Sequence, residues 1–417
     1  MVKKMKKIIT MLMLLFFSNT VCFGRELSLE EAIMTGIVNN PQIQAESVKT
    51  KISEAQIKSA SLRRNPQILL DGGTADKAFK GGISQTFELG GKRAKRVKAA
   101  KIQNEVVVQE LATAIIDLRS NIRTAYIDLY SAKENLRTTE EILKITRTLV
   151  DIAQKREKAG DIAKLDVLQV EIKEVDVRNA IEAAKLEEIQ ALNNLSFYLG
   201  ENLPDDIVLK KPEISSDYTA SDKEKITEVL INEAKSNRPE LKRLNKLLEK
   251  NQQLERLARS TAVPDLNITA GPNVQVEDTD DGRTTHVGVF ATITMDIPIF
   301  NHGQGLLKEV KAERVQLEKE LFAAESKITL DIKNAYSAVV KNAEILQIYE
   351  TELLPKSLEI LKKSDMSFKE GKSNILMSLT SQETYVNTQK GYINAAKNYQ
   401  KSLSDLERAL GANNEKL

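Results

Sequence analysis

The chain has 417 residues, of which 41% are hydrophobic, 29% charged and 5% aromatic, with no tryptophan and a formal net charge of +2. A balance this close to neutral carries no electrostatic footprint for nucleic acid. A single cysteine excludes a disulfide framework, so the fold must be held by packing.

In chain order, Lys3, Lys4, Lys6 and Lys7 precede an apolar run from Ile8 to Phe17, and small or neutral residues lead on to Gly24. That order is a secretory signal peptide, too short for a comfortable membrane span. Cleavage is expected after Gly24, which makes residues 1–24 the signal and discards Cys22. Lipid attachment at Cys22 is the alternative, but Asn19-Thr20-Val21 lacks the Leu and the small residue such attachment uses. Without the four lysines, 57 basic groups face 59 acidic ones. No later apolar run approaches the ~18 residues of a spanning helix. A mature chain that crosses a membrane would therefore do so as a closed β-barrel, in which every backbone group is paired.

The remainder is written twice. Residues 25–210 form a first repeat and 211–417 a second. "EAIMTGIVNNPQI" resembles "EVLINEAKSNRPEL"; Pro41 and Pro239 lie 198 apart, as do Pro66 and Pro264. "IRTAYIDLY" matches "IKNAYSAVV" at an offset of 210, and Gly160 matches Gly371 at 211. The slippage is assigned to the strand region, where the second hairpin has the longer loop. Each half reads as two helices around a proline, a β-hairpin (about 66–89 and 264–299), a long helix (about 92–158 and 303–369), a tight turn and a return helix (about 165–199 and 375–410).

Ile83, Gln85, Phe87 and Leu89 alternate with Ser84, Thr86 and Glu88, and Val287, Val289, Ala291, Ile293, Met295 and Ile297 alternate with small or polar residues. Such two-faced strands suit a wall between lipid and water. In the first long helix Val108, Leu111, Ile115, Leu118, Ile122, Ala125, Leu129, Ala132, Leu136, Leu143, Val150 and Ala153 keep a 3–4 spacing. Ile328, Ile332, Ala335, Val339, Leu346, Leu353 and Ile360 echo it in the second. This is a coiled-coil seam, and at ~1.5 Å per residue each rod is on the order of 100 Å long. The fold class is thus mainly α with a small β part.

Four strands cannot close a membrane barrel, for which about eight is the minimum. Copies must therefore pool their hairpins: two would give eight strands and little lumen, three would give twelve and a water-filled bore. "ELGGKRAKR" then marks the barrel-to-helix junction, with Gly90 and Gly91 permitting a sharp hand-over to Lys92 and Arg93. Gly303 and Gly305 stand at the second junction.

The ordered duplication, the proline-flanked helices, the hairpins and the G-x₅-D-V-L turn resemble the TolC-type outer-membrane efflux family across essentially the whole mature chain. "SQTFELGGKRAKR" is similar to its heavy-metal branch, the cobalt–zinc–cadmium type of outer-membrane factor. The resemblance implies a homotrimer, seated in outer-membrane lipid and extending into the periplasm, which works with a periplasmic adaptor and an inner-membrane RND-type pump. It further implies that the two helical turns are the periplasmic tip and dock the adaptor, through Gly160, Asp161, Val167, Leu168, Gly371, Lys372 and Leu379. Val167, Leu168 and Leu379 are alternatively coiled-coil knobs, and the glycines also serve as helix caps. Asp166 falls where the family's constriction is acidic, whereas Met377 and Thr380 stand where a second acidic pair is expected.

Lys92, Arg93, Lys95, Arg96 and Lys98 read either as a solvated helix start or as a contact for anionic lipid heads. His286 and His302 are isolated, so no metal site is expected. No nucleophile–base pair, phosphate loop or ligand cluster is present, so neither catalysis nor a cofactor is expected. A duct serving drug efflux or type I secretion, or a soluble periplasmic coiled-coil scaffold, are the rival readings.

Overall fold

The computed structural model describes residues 26–73, 78–212, 223–279 and 282–411. The signal segment 1–24, Cys22 included, lies outside them. The elements are β1 (Glu26–Leu27), α1 (Leu29–Asn39), α2 (Pro41–Ser61), β2 (Gln67–Gly73), β3 (Ala78–Phe87), α3 (Lys92–Lys158), α4 (Lys164–Leu199) and β4 (Val208–Leu209). They continue with α5 (Lys223–Asn237), α6 (Pro239–Ser260), β5 (Leu266–Thr279), β6 (Gly282–Met295), α7 (Gln304–Ile348), a π turn (Tyr349–Leu353), α8 (Leu354–Lys369) and α9 (Ile375–Leu410). None of the described helices is long and apolar enough to cross a membrane.

The chain divides into two compact units, one of residues 42–116, 225–333 and 409–417 and the other of residues 1–41, 117–224 and 334–408. The first of these holds the sheet. Its helices α2 and α6 each open on a proline, whose missing N–H costs nothing in a first turn. Lys246 of α6 pairs with Glu105 of α3 at 2.7 Å, and Asn251 of α6 donates to the Val310 carbonyl and to Glu313 of α7. Both hairpins join one antiparallel sheet of four strands in the order β2-β3-β5-β6. The outer edges of β2 and β6 carry no further strand among the described residues.

Cross-strand registers extend the alternation of single strands into faces. One face aligns Ile68, Ile83, Ala270 and Ala291 in one row, and Phe87, Leu266 and Met295 in another. The other aligns Gln67, Ser84, Thr269 and Thr292, where Thr269 donates to Ser84 and Ser84 to Asn267, both at 2.9 Å. Val289 is 91% exposed and Ile68 80%: the apolar face lies bare. β6 stops at Met295, short of Ile297, because Pro298 has no N–H for the ladder.

The second unit is helical. Ser28 and Glu31 form a reciprocal capping box at the start of α1. β1 and β4 pair in parallel, and the buried Tyr126 hydroxyl sits 2.8 Å from the Leu27 carbonyl and 2.7 Å from that of Lys210. This pair leaves no trace in the sequence pattern, since two-residue strands have no period to detect. α4 packs on α3 through Lys133–Glu188 (2.8 Å) and Arg147–Glu174 (3.3 Å). α3 packs on α9 through Asp128 with Lys397 and Lys401, and α9 on α7 through Asn342 to the Asn398 carbonyl. The outer members of this set carry exposed apolar stripes: Leu165, Leu168, Ile172, Val175, Leu186 and Ile189 on α4, and Ile345, Ile348, Leu353 and Ile360 on α7, the π turn and α8.

The seam expected in α3 is buried at Leu118, Ile122, Ala125, Leu129, Ala132, Val150 and Ala153, whereas Val108, Leu111, Ile115, Leu136 and Leu143 are only partly buried. In the second rod it is buried at Ile328, Ile332, Val339 and Leu346, but Leu353 and Ile360 are exposed. The continuous helix over 303–369 is also interrupted, by the π turn ahead of Pro355. The last one-residue slip between the repeats falls between Tyr336 and Gly371, in this rod and not in the strand region.

Gly271 shows how closely the two hairpins meet. A Cβ there would sit 2.0 Å from the Gly81 carbonyl oxygen, whereas one at Gly288 would meet nothing within 4 Å. Gly271→Ala is therefore expected to cost about 1–3 kcal/mol or more through forced backbone movement and to lower folded yield in detergent. Gly288→Ala should leave yield near that of the parent; equal yields for the two would show that β3 and β5 do not need this approach.

Candidate functional site: the paired helix turns

Both turns are built alike. α3 ends where Gly160 (φ 80°) turns left-handed, with Asp161 N–H donating to the Arg156 carbonyl and Gly160 N–H to that of Glu157. α8 ends at Gly371 (φ 73°), with Lys372 N–H to the Ser367 carbonyl and Gly371 N–H to that of Phe368. Each is a Schellman closure, which returns orphan helix carbonyls to donors and needs a residue free to take positive φ. Both glycines are exposed.

The return helices are then started from opposite halves of one device. In the first turn, the Ala163 N–H donates to the Asp166 carboxylate at 3.2 Å; alanine has no side-chain acceptor, so the acid at the third helical position caps alone. In the second turn, Asn374 accepts the Met377 N–H at 3.1 Å. Met377 can thus replace the acid because the cap has moved to Asn374. Asp166 is half-buried, while Met377 and Thr380 are exposed, with the Thr380 hydroxyl turned back onto the Leu376 carbonyl at 2.9 Å.

Beneath the turns lies a core of Leu149, Val150, Ala153, Val167, Val170, Phe368 and Ile375, with Ile152, Ile162 and Leu379 packed against it. Val167 is thus buried within this core. Leu379 is half-sunk, and only Leu168 of the three proposed apolar contacts stands out, at 45% exposure. Lys372 pairs with Glu370 at 2.6 Å on the surface.

Arg156, which sequence analysis did not single out, ties the turns together. Its Nη1 donates to the Phe368 carbonyl at 2.8 Å, its guanidinium lies 4.7 Å from the Phe368 ring centroid, and its Nε is 3.9 Å from Asp161. A cation between two helix C-termini meets their negative ends. Only the "R" four residues before Gly160 hinted at it, and a helix-end basic residue is too common to stand out.

The two helix pairs are sealed differently. Below the first turn the buried seam is Ala153, Val167 and Val170; at the matching places the second has Ser364, Ser378 and Ser381, with Gln382 donating to Thr146 at 2.7 Å. Burial pushes the Asp365 carboxyl up, against a smaller opposing pull from Lys369. Its contribution to stability is present at low pH and is lost as pH rises through that raised value.

At the barrel-to-helix junction in the other unit, the basic cluster is largely spoken for. Lys92 pairs with Asp265 at 2.7 Å, Arg96 grips Glu88 at 2.7 and 3.1 Å and the Ala60 carbonyl at 3.1 Å, and Lys95 reaches the Gly90 carbonyl at 2.8 Å. These cations join strand end, helix start and the C-terminus of α2, which weakens the lipid-head reading; Arg93 and Lys98 remain exposed. Gly90 and Gly91 both have φ 69° and Gly303 φ 85°; a Cβ at Gly303 would lie 1.9 Å from the Thr261 hydroxyl, while one at Gly305 would meet nothing. Among the described residues no three His, Cys, Asp or Glu side chains are grouped to hold a metal.

The sequence pattern of the outer membrane efflux protein family matches residues 35–201 and 230–412. The cobalt-zinc-cadmium resistance protein CzcC of Cupriavidus metallidurans is 22% identical over 388 residues, 92% of this chain and 90% of that protein. Among solved structures, the outer-membrane channel OprN superposes with a TM-score of 0.75 at 14% identity, covering 92% of this chain and 89% of its own. CusC superposes at 0.71 with 18% identity, over 95% of each chain.

Arg156→Ala is expected to remove a charge-assisted hydrogen bond and a ring contact together worth about 2–3 kcal/mol. Hydrogen exchange at the amides of residues 367–372 should accelerate accordingly, and unchanged protection would show that Arg156 is idle. Asp166→Ala should cost about 1 kcal/mol of helix-start stability, while Asp166→Asn, which keeps an acceptor oxygen, should cost less; thermal melts of the two variants separate cap from charge.

Proposed function

The chain belongs to the outer membrane efflux protein family and is a passive outer-membrane efflux channel, and from that premise we propose that it is the exit duct of a tripartite system. In this reading it carries heavy-metal cations received from an inner-membrane RND-type pump through a periplasmic adaptor. The observation that bears most weight is the four-stranded sheet with two unpaired outer edges. Backbone groups on such edges cannot face lipid, so β6 of one copy must meet β2 of the next. Three copies give twelve strands and an open bore. The exposed stripes on α4 and on α7–α8 are a second pair of free edges suited to the same head-to-tail ring.

The turns around Gly160, Asp161, Gly371 and Lys372 are assigned to the periplasmic mouth, with Leu168 and Leu379 offered to the adaptor. The choice of cargo follows the name of CzcC and the "ELGGKR" junction. In this reading selection belongs to the partners, and this chain has only to let the ion pass. Asp166 from each copy would line a narrow passage, where confinement strengthens the attraction of carboxylates for cations.

A strain lacking this protein is expected to grow poorly on zinc, copper, cobalt or cadmium while tolerating detergents and dyes. Sensitivity to detergents and dyes alone would transfer the duct to drug efflux. In single-channel recordings, Asp166→Asn should lower cation selectivity with the helix cap intact; unaltered selectivity would remove Asp166 from the passage.

A further inference from the structure

Between matching landmarks the second rod holds one residue more than the first: Tyr126 to Gly160 spans 34 positions, Tyr336 to Gly371 spans 35. In α3 the buried seam runs without a break through Ala125, Leu129, Thr139, Thr146, Val150 and Ala153. In the second rod Val339 still follows at an offset of 210 from Leu129. Past the π turn, Ser357, Leu361 and Ser364 follow at 211 from Thr146, Val150 and Ala153. The phase changes by one residue across Tyr349–Leu353, and a π turn accommodates one residue more than an α-helical turn.

Had the rod continued as plain α-helix at the 210 offset, the places of Thr146, Val150 and Ala153 would fall to Lys356, Ile360 and Lys363, all of them exposed. Each residue rotates a helix by about 100°, so Phe368 would swing out of the core and away from Arg156. The neighbouring helix is fitted to the turn. Tyr349 lies against Gly391 of α9, where a Cβ would be 2.5 Å from the tyrosine oxygen, and the first repeat has Ala180 at the matching place. The Tyr392 hydroxyl donates to Glu350 within the turn at 3.3 Å. A glycine inside a helix is otherwise a cost of about 1 kcal/mol.

We propose that the π turn is a register device: it absorbs a one-residue insertion in the second rod, restores the phase of the seam, and so delivers Phe368 to Arg156. Pro355 serves only to place the turn, since its ring opposes the α-helical carbonyl of Thr351. The surplus residue is what makes the turn necessary. The device is thus the reason two rods of unequal count can end in matching turns.

The test uses the full chain with Cys22→Ser, one introduced cysteine per variant, and thiol-labelling rates together with thermal melts. Deleting Thr351 from the Leu361→Cys protein should convert the turn to α-helix, keep the seam in phase, and leave labelling within about twofold of the parent. Deleting Glu141, the matching position in the first rod, from the Val150→Cys protein should accelerate labelling at least tenfold, because that rod has no residue to spare. Pro355→Ala should leave the Leu361→Cys thiol protected. The proposal is overturned if loss of Thr351 unfolds the protein or unmasks residue 361, if loss of Glu141 leaves residue 150 protected, or if Pro355→Ala alone exposes the thiol. None of these readouts involves transport, so they stand or fall apart from the duct reading.

Discussion

Backbone amides and carbonyls on a strand edge must be paired, and in hydrocarbon no water can do it. Among the described residues the sheet satisfies that demand three times, between β2 and β3, β3 and β5, and β5 and β6, and leaves it open at two edges. The rows of bare apolar side chains on one face make an aqueous fate for this sheet unfavourable, and the Ser84–Thr269–Thr292 row on the other makes a fully lipidic one equally so. The proposed ring of copies would answer both conditions, with the edges paired, one face toward lipid and the other toward water. The apolar stripes on α4 and on α7–α8 pose the same problem in side-chain form.

Duplication supplies the parts, and divergence shows what each part is for. The two turns keep the same Schellman closure while exchanging the means of starting the next helix, an acid at Asp166 in one and an amide at Asn374 in the other. The cap is kept as a function and not as a residue: in the first turn it occupies the Asp166 carboxylate, and in the second its move to Asn374 leaves Met377 free to be apolar. The helix pairs below diverge further: valines and alanine seal the first, serines the second. Burying hydroxyls gains less than burying methyls and methylenes, so equal geometry rests on unequal cohesion. Arg156 bridges the difference by anchoring the better-packed rod to the end of the other.

Periodic features were legible from residues alone. Alternation over Ile83–Leu89 and Val287–Met295, the 3–4 seam from Leu118 to Ala153, and glycines at the two turns each repeat a local rule often enough to be recognised. Features without a period were not. The β1–β4 pair is two residues long on each side, and the Arg156 clasp joins residues 212 apart in sequence. The error at Leu353 and Ile360 is instructive: both are apolar and correctly spaced from Leu346, and nothing local says that a residue too many precedes Leu361.

By itself, then, the sequence determined that the protein is a duplicated set of long helices and two-faced hairpins with too few strands to close, because those properties follow from spacing along one chain. Only the tertiary structure decided that the hairpins share one sheet through β3 and β5, that three of the junction cations are bound internally, and which of two overlapping stripes on α8 faces inward. Those outcomes depend on which partner each group finds among distant residues, and helix phase accumulates over the whole rod, so a single π turn can overrule every local indication beyond it.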